Sequence, residues 1–107
     1  EHFGRMNDPA GSAYFKGPCG DEMEFYLVIK DKSIEEVKFY TEGCIAARIC
    51  GAMTARLASG KSIDDALDLS PRKVIDLLKG LPENEGHCSI LAVSTLYKAI
   101  ADYLLKP

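Results

Sequence analysis

The sequence predicts an α+β fold, with a small antiparallel sheet formed by the first half of the chain and helices packed on one face of it. In the first half, apolar side chains alternate with polar or amphipathic ones, most clearly over residues 23–30. In the second half, apolar residues recur at helical spacing, and serine, proline and glycine mark the element ends. Strands that precede helices in this way are typical of the α+β class.

Two or three strands are expected before residue 42. Residues 13–16 predict a short edge strand, and residues 23–30 predict a half-buried strand. A turn at residues 31–33 then leads into a return strand over residues 34–41. The inward side chains of the last two strands are predicted to be Met23, Phe25, Leu27, Ile29, Val37 and Phe39.

Four helices are expected after residue 43. The first is predicted to end at Gly60, the second to begin at Ser62 as a capping box, and the third to begin at Ser70 and end near Gly80. The last begins at about residue 87 and carries one wide apolar stripe to its end. The apolar stripe of the first helix is predicted to comprise Ile45, Ile49, Ala52, Met53 and Leu57.

The length, charge and cysteine content of the chain limit the classes of function that it can have. The 107 residues are expected to form a single domain, 1–107, whose hydrophobic core is large enough to fold without disulfide bonds or a structural metal ion. A formal charge of −3 argues against nucleic acid as a partner, and no apolar run is long enough to predict a membrane span. Four cysteines in such a chain, without a secretory signal, favour reduced thiols, metal or sulfur chemistry and a cytoplasmic setting.

Three of the cysteines lie at predicted element ends. Cys19, Cys44 and Cys88, together with Asp21 and His87, supply the ligand types of tetrahedral zinc or iron sites. The histidine and the predicted helix start favour the thiolate form of Cys88. Dispersed, mixed ligands suit a labile site better than a permanent one.

Cys50 is predicted to be a packing residue. It falls in mid-helix, about 120° around the axis from Cys44 at 3.6 residues per turn, so the two thiols do not share a helix face. A lone cysteine in such a position is most often a small buried hydrophobe.

Three segments together resemble the signature motifs of the iron–sulfur cluster assembly scaffold family of the IscU/NifU type. They occur in the family's order and at about its separations, and the similarity runs from about Gly4 to the end of the chain. The segments are Gly17-Pro18-Cys19-Gly20-Asp21, Glu42-Gly43-Cys44-Ile45-Ala46 and His87-Cys88-Ser89-Ile90-Leu91-Ala92. The resemblance implies a three-stranded antiparallel sheet packed on one face by about four helices.

The resemblance also implies roles for the five ligand candidates. Cys19, Cys44 and Cys88 match the cluster cysteines, Asp21 the neighbouring carboxylate and His87 a histidine that can also bind metal. Cys88 is the preferred acceptor of persulfide sulfur, with Cys44 as the second choice. The implied cargo is a transient cluster, preferably of the 2Fe-2S type, and isolated members of the family often carry zinc in the same site.

Implied partners are a cysteine desulfurase and apo iron–sulfur proteins, with the scaffold acting as a monomer or a cluster-linked dimer and not as an enzyme. Two departures bear on this. First, the family's N-terminal helix is expected to be missing or truncated in this sequence. Second, the family's chaperone-docking motif is replaced by Leu81-Pro82-Glu83-Asn84-Glu85, with acid where lysine is usual, which argues against a dedicated chaperone.

Two alternative functions use the same residues. In a zinc-dependent sulfur carrier, Cys19, Asp21, Cys44 and Cys88 would hold zinc and one thiol would carry persulfide. The carrier relatives have an insertion between the second and third cysteines, and this sequence lacks it. The sulfur-carrier hypothesis is therefore less favoured than the scaffold hypothesis. A purely structural zinc domain ranks last, because a core of this size is expected to fold without metal.

Overall fold

Three antiparallel strands come first along the chain and form one sheet. The computed structural model describes residues 2–18, 20–78 and 86–106. In that part, β1 (Gly11–Lys16), β2 (Glu22–Lys30) and β3 (Ser33–Tyr40) are hydrogen-bonded in the order β1-β2-β3. Four helices follow within the described residues, and the predicted α+β class is confirmed.

The central strand β2 supplies the middle of the core. Its alternate side chains are buried, as the sequence predicted, because one face of the sheet meets the helices and the other meets solvent in part. The buried set comprises Met23, Phe25, Leu27 and Ile29. β1 is an edge strand that begins two residues before the predicted 13–16 segment.

Because of a β-bulge, one inward residue of β3 could not be predicted from the alternation of apolar and polar residues. Ile29 pairs with Ile34 and Val28 with Glu36, so β3 holds an extra residue at this point. The extra residue shifts the side-chain parity by one. Ile34 is therefore buried together with the predicted Val37 and Phe39.

The four helices are α1 (Ile45–Ala58), α2 (Ile63–Ala66), α3 (Pro71–Leu77) and α4 (His87–Leu105). The predicted caps are confirmed. The Ser62 hydroxyl accepts a hydrogen bond from the Asp65 N–H at 3.1 Å, and the Ser70 hydroxyl accepts one from the Lys73 N–H at 3.3 Å. The predicted stop of α3 at residues 79–80 lies outside the described residues, and the helix is assigned only as far as Leu77.

The predicted apolar face of α1 is wrong. Ile45 is 76% exposed and Ile49 is 42% exposed, whereas the small residues of the opposite face are buried. A Cβ added at Gly51 would lie 2.7 Å from the Phe39 ring, so the helix packs too closely on the sheet for large side chains. The buried set is Ala47, Cys50, Gly51, Thr54, Ala55 and Ala58.

Helix α4 is the core helix that packs against β1, β2, α1 and α3. By length and composition it is also apolar enough to cross a membrane, a property that the sequence analysis did not anticipate. Half of its most apolar window is buried inside the fold, which is the pattern of a core helix. Its C-terminal turns dock on β1, where the Ser12 N–H donates to the Asp102 carboxylate at 3.0 Å and the Lys106 ammonium donates to the Ala10 carbonyl at 3.0 Å.

Candidate metal centre

Asp21 lies in the turn that leads from β1 into β2. The Gly17 N–H donates to the Asp21 carbonyl at 2.8 Å, and the Gly20 N–H donates to the Gly17 carbonyl at 3.0 Å. Gly20 has a φ of +97°, a backbone conformation that favours glycine. The turn therefore fixes Asp21 at the end of the sheet, immediately before β2. Cys19 lies outside the described residues.

Cys44 is the N-cap of α1, and its side chain makes no hydrogen bond to the helix. Its backbone carbonyl accepts the first helical hydrogen bond, from the Arg48 N–H at 3.2 Å. The thiol is exposed, is not in a disulfide, and lies 3.6 Å from Oδ2 of Asp21. The end of β3 and the start of α1 thus place a sulfur ligand beside the Asp21 carboxylate.

Cys88 completes a group of three ligand atoms. It is the second residue of α4, and its side chain is wholly buried. The Cys88 Sγ, the Cys44 Sγ and an Asp21 carboxylate oxygen all lie within 4.8 Å of one another. Three segments far apart in sequence therefore converge at one end of the sheet, as the sequence analysis expected for these three residues.

The spacing of Asp21 and Cys44 within this group suits a tetrahedral metal ion. Metal–sulfur and metal–oxygen bonds of about 2.3 and 2.1 Å at a tetrahedral angle separate the two ligands by about 3.6 Å. The Cys44 Sγ and Asp21 Oδ2 atoms are 3.6 Å apart, which equals this expected separation. Two thiolates and one carboxylate are donors that zinc and iron accept, so the residues present fit both a zinc ion and an iron–sulfur cargo.

His87 and Cys50 differ from these three residues. His87 is the first residue of α4 and is exposed, and its ring nitrogens are not part of the converging group. Its metal-binding role stays a prediction. Cys50 is wholly buried in the hydrophobic core, where the sequence predicted a packing residue.

Replacing Cys50 by serine should therefore leave the metal stoichiometry unchanged and destabilise the fold. The serine hydroxyl is more polar than the thiol it replaces among apolar side chains, so we expect a loss of about 0.5–3 kcal/mol, the usual range for a single core substitution. Urea unfolding followed by circular dichroism would measure the loss, and metal analysis would measure the stoichiometry. Loss of bound metal at unchanged folded fraction would contradict the assignment.

Thr41, close to the ligands, was missed by sequence reasoning, and the packing of Gly43, a residue of one of the three motif segments, was not predicted. Thr41 is 4% exposed, and its hydroxyl joins the strand that follows Asp21 to the loop that precedes Cys44. Gly43 packs on the Asp21 carboxyl, because a Cβ there would lie 3.1 Å from the Asp21 Cγ. Their available signal was weak: a threonine at a strand end followed two residues later by glycine is common in proteins.

A polar cavity of about 330 Å³ opens on the Asp21 side of the group. On its wall the Arg5 guanidinium makes an ion pair with Glu24 at 2.9 Å and lies 3.9 Å from the centre of the Tyr40 ring. The hydrogen bond from Arg5 holds the pKa of the Glu24 carboxyl below its usual value. The pKa of the Tyr40 hydroxyl is raised, chiefly by its hydrogen bond to Glu42. This side of the centre is therefore polar and carries more carboxylates than cations.

Residues 1–107, the whole chain, match the family model described as the NifU-like N terminal domain. The chain belongs to this family. Two relatives of the NifU-like domain carry names that bear on its function. This chain is 41% identical over 104 residues to the iron-sulfur cluster assembly scaffold protein IscU 1 of Archaeoglobus fulgidus, and the match covers 96% of this chain and 68% of that protein. It is 34% identical over 106 residues to the scaffold protein IscU of Escherichia coli K12, covering 97% and 82%.

The fold of the NifU-like domain also recurs among solved structures. The crystal structure of a nitrogen-fixing NifU-like protein (N-terminal) from Brucella abortus matches it with a TM-score of 0.76 at 17% identity, over 100% of this chain and 88% of that chain. At that identity the likeness shows the fold alone.

Proposed function

We propose that this NifU-like domain is a scaffold on which an iron–sulfur cluster is assembled and from which it is passed to apo-proteins. The observation that carries the proposal is the convergence of Asp21, Cys44 and Cys88 within 4.8 Å at one end of the sheet. The relatives in A. fulgidus and E. coli are named as iron-sulfur cluster assembly scaffold proteins, which supports the same role here. No turnover of a small substrate is proposed.

The cluster is cargo in this proposal, and its protein ligands would be Cys19, Cys44, Cys88 and Asp21. Cys19 enters as the third thiolate because it stands two positions before Asp21 in the sequence. Cys44 is exposed whereas Cys88 is buried, so one edge of the cargo would be held in the core and another would face a partner. Such an asymmetric site suits a transient cluster of the 2Fe-2S type, held by a monomer or shared between two copies.

Sulfur would arrive as persulfide from a cysteine desulfurase. A thiolate of the scaffold, having lost its proton to solvent, attacks the outer sulfur of the partner's persulfide. The sulfur–sulfur bond of the donor breaks, the donor cysteine leaves as a thiolate, and the acceptor cysteine becomes the persulfide. The step transfers one sulfur atom with no net oxidation or reduction.

The accessibility of the two thiols changes the preferred acceptor from Cys88 to Cys44. Attack requires that the thiolate reach the donor sulfur, and the Cys44 thiol is exposed whereas the Cys88 side chain is wholly buried. We expect Cys44→Ser to lose most of its sulfur loading and Cys88→Ser to keep it. Mass spectrometry after desulfurase turnover measures the loading. Full loading of Cys44→Ser with none of Cys88→Ser would restore Cys88 as the first acceptor.

The proposal as a whole is tested by anaerobic reconstitution with ferrous iron, cysteine and a desulfurase. We expect visible absorption from a cluster that can be transferred to an apo-ferredoxin. The matched control is Cys50→Ser, which removes a core thiol and should still form the cluster, whereas Cys44→Ser should not. Tight zinc binding with no cluster under these conditions would reject the scaffold and favour the zinc-dependent sulfur carrier.

The setting that fits these thiols is a reducing one, such as the cytoplasm, because thiolates must stay unpaired to bind iron. The desulfurase and apo-acceptors are the proposed partners. Residues 81–85 carry acid where the family's chaperone-docking motif has lysine, and they lie outside the described residues. The absence of a dedicated chaperone therefore stays a prediction.

A further inference from the structure

The segments that carry Asp21 and Cys44 are joined by one buried hydroxyl. Thr41 follows the last residue of β3, and its Oγ1 donates to the Glu22 carbonyl at 2.6 Å. The same oxygen accepts a hydrogen bond from the Gly43 N–H at 3.0 Å. Glu22 is the residue after Asp21, and Gly43 is the residue before Cys44. The hydroxyl therefore spans the two ligand-bearing segments one residue away from each ligand.

We propose that Thr41 is a positioning residue, whose hydroxyl sets the separation between the Asp21 carboxylate and the Cys44 thiol and thereby the affinity of this site for metal. The inference rests on the proposed function in one respect: it takes Asp21, Cys44 and Cys88 as the metal site. Groups that hydrogen-bond to the ligands of a metal orient them, and their loss typically lowers metal affinity by about 10- to 100-fold. Thr41 acts in the same way through the backbone next to each ligand.

The packing around Thr41 leaves little freedom for another arrangement. A Cβ added at Gly43 would lie 3.2 Å from the Thr41 Oγ1 and 3.1 Å from the Asp21 Oδ1. A side chain at residue 43 would therefore have to push the Asp21 carboxyl and the Thr41 hydroxyl aside by a few tenths of an ångström. Thr41 is 4% exposed, so water does not readily replace its hydroxyl if the hydroxyl is removed. The Gly43 N–H would then lose its partner, and the loop that places Cys44 would be free to shift relative to Asp21.

The test compares pairs of variants that differ by the hydroxyl: threonine with Thr41→Val, and Thr41→Ser with Thr41→Ala. Metal-free protein is titrated anaerobically with Co²⁺ alone, and the thiolate-to-cobalt absorption is recorded. We expect Co²⁺ affinity to fall about 10- to 100-fold in the valine and alanine variants, with altered thiolate bands, and to be largely retained in serine. If valine prevents folding, the serine and alanine pair gives the comparison.

Thr54→Val is the matched control. Thr54 is wholly buried in α1, and its hydroxyl makes no hydrogen bond to the part of the chain that the structure describes. The same substitution there changes a buried threonine without touching the Asp21–Cys44 link. We expect wild-type Co²⁺ affinity and bands. Amide hydrogen exchange at Gly43 in the metal-free protein reports the Thr41 bond itself, and protection should be lost in Thr41→Val and Thr41→Ala and kept in Thr54→Val.

Three outcomes would contradict the positioning role of Thr41, and they affect the proposed function differently. Lost protection at Gly43 with wild-type Co²⁺ affinity would overturn the positioning role and leave the proposed function intact. A serine variant as weak as alanine would assign the effect to something other than the hydroxyl and would also overturn it. Failure of the wild-type protein to bind Co²⁺ would remove the metal site, and with it both this inference and the ligand set of the proposed function.

Discussion

Replacing Gly11 by alanine should lower the free energy of unfolding by about 3 kcal/mol, in the upper part of the range for overpacked cores. A Cβ at this position would lie 2.5 Å from the Ala99 carbonyl oxygen and 2.9 Å from the Tyr103 Cβ. The first of these contacts is with helix backbone, which cannot turn aside as a side-chain end can. The edge strand and the core helix would have to separate, and the hydrogen bond from the Ser12 N–H to Asp102 would be stretched.

Urea unfolding of Gly11→Ala against the unmodified protein measures this effect. Ser12→Ala is the matched control, because it alters the next residue of the same strand and keeps the backbone N–H that Asp102 accepts. We expect the control to unfold within about 0.5 kcal/mol of wild type, as for ordinary surface changes. An equal loss in both variants would mean that β1 is intolerant in general and that the close approach of Gly11 to α4 is not the cause.

The tight packing of β1 on α4 also bears on the metal centre. The C-terminal turns of α4 are anchored to β1 through Asp102 and Lys106, and the first turn of the same helix carries Cys88. A helix held along its length against the sheet presents a buried thiol at a fixed height above the sheet end. Gly11→Ala is therefore expected to loosen the position of Cys88 as well as the fold.

The sheet was predictable because its signal is local. Alternation over β2 depends only on one face being buried, and each inward residue of that strand was correctly identified. Ile34 was missed because the bulge at Val28/Ile29 is a property of the strand pair, and no pattern within β3 alone reveals it. Helix starts were equally local, since Ser62 and Ser70 cap the helices that follow them.

The orientation of α1 could not be predicted in the same way. Periodicity assumes that the larger apolar side chains face the core, whereas the approach of Gly51 to Phe39 admits only small ones. The distance between a helix and a sheet is a tertiary quantity that the helix sequence does not contain. As a result Ile45 and Ile49 are exposed, on a helix whose existence was predicted correctly and which ends at Ala58, two residues before the predicted Gly60.

The convergence of three candidate ligands was predictable from the sequence, and its geometry was not. Cysteines at element ends, read with the motif resemblance, named Asp21, Cys44 and Cys88, and these three converge. Their unequal exposure follows from which helix end is covered by neighbouring elements, and this required the fold. The contribution of Thr41 likewise appears only when the strand ends are placed side by side.

Asp21→Ala should still assemble a cluster, retain it longer and transfer it about tenfold more slowly, a change that corresponds to about 1.4 kcal/mol in the transfer barrier. Asp21 is the one oxygen donor in the converging group. Iron already bound by thiolates favours further soft donors over carboxylate, so the aspartate gives a weaker and more exchangeable attachment. Its charge, 3.6 Å from the Cys44 sulfur, also adds to that of the thiolates and favours departure of the cargo to a better-matched acceptor.

The measurement is the decay of the cluster's visible absorption with and without an apo-acceptor, compared with the unmodified protein. Asp21→Asn separates charge from ligation, because it keeps an oxygen donor of the same shape and removes the negative charge. Glu22→Ala is the control, since it removes the neighbouring carboxylate in the same polar cavity, outside the converging group, and should leave both rates unchanged. If Asp21→Ala loses its cluster faster than wild type, the carboxylate is a stabilising ligand, and release must instead be controlled by the thiolates or by the acceptor.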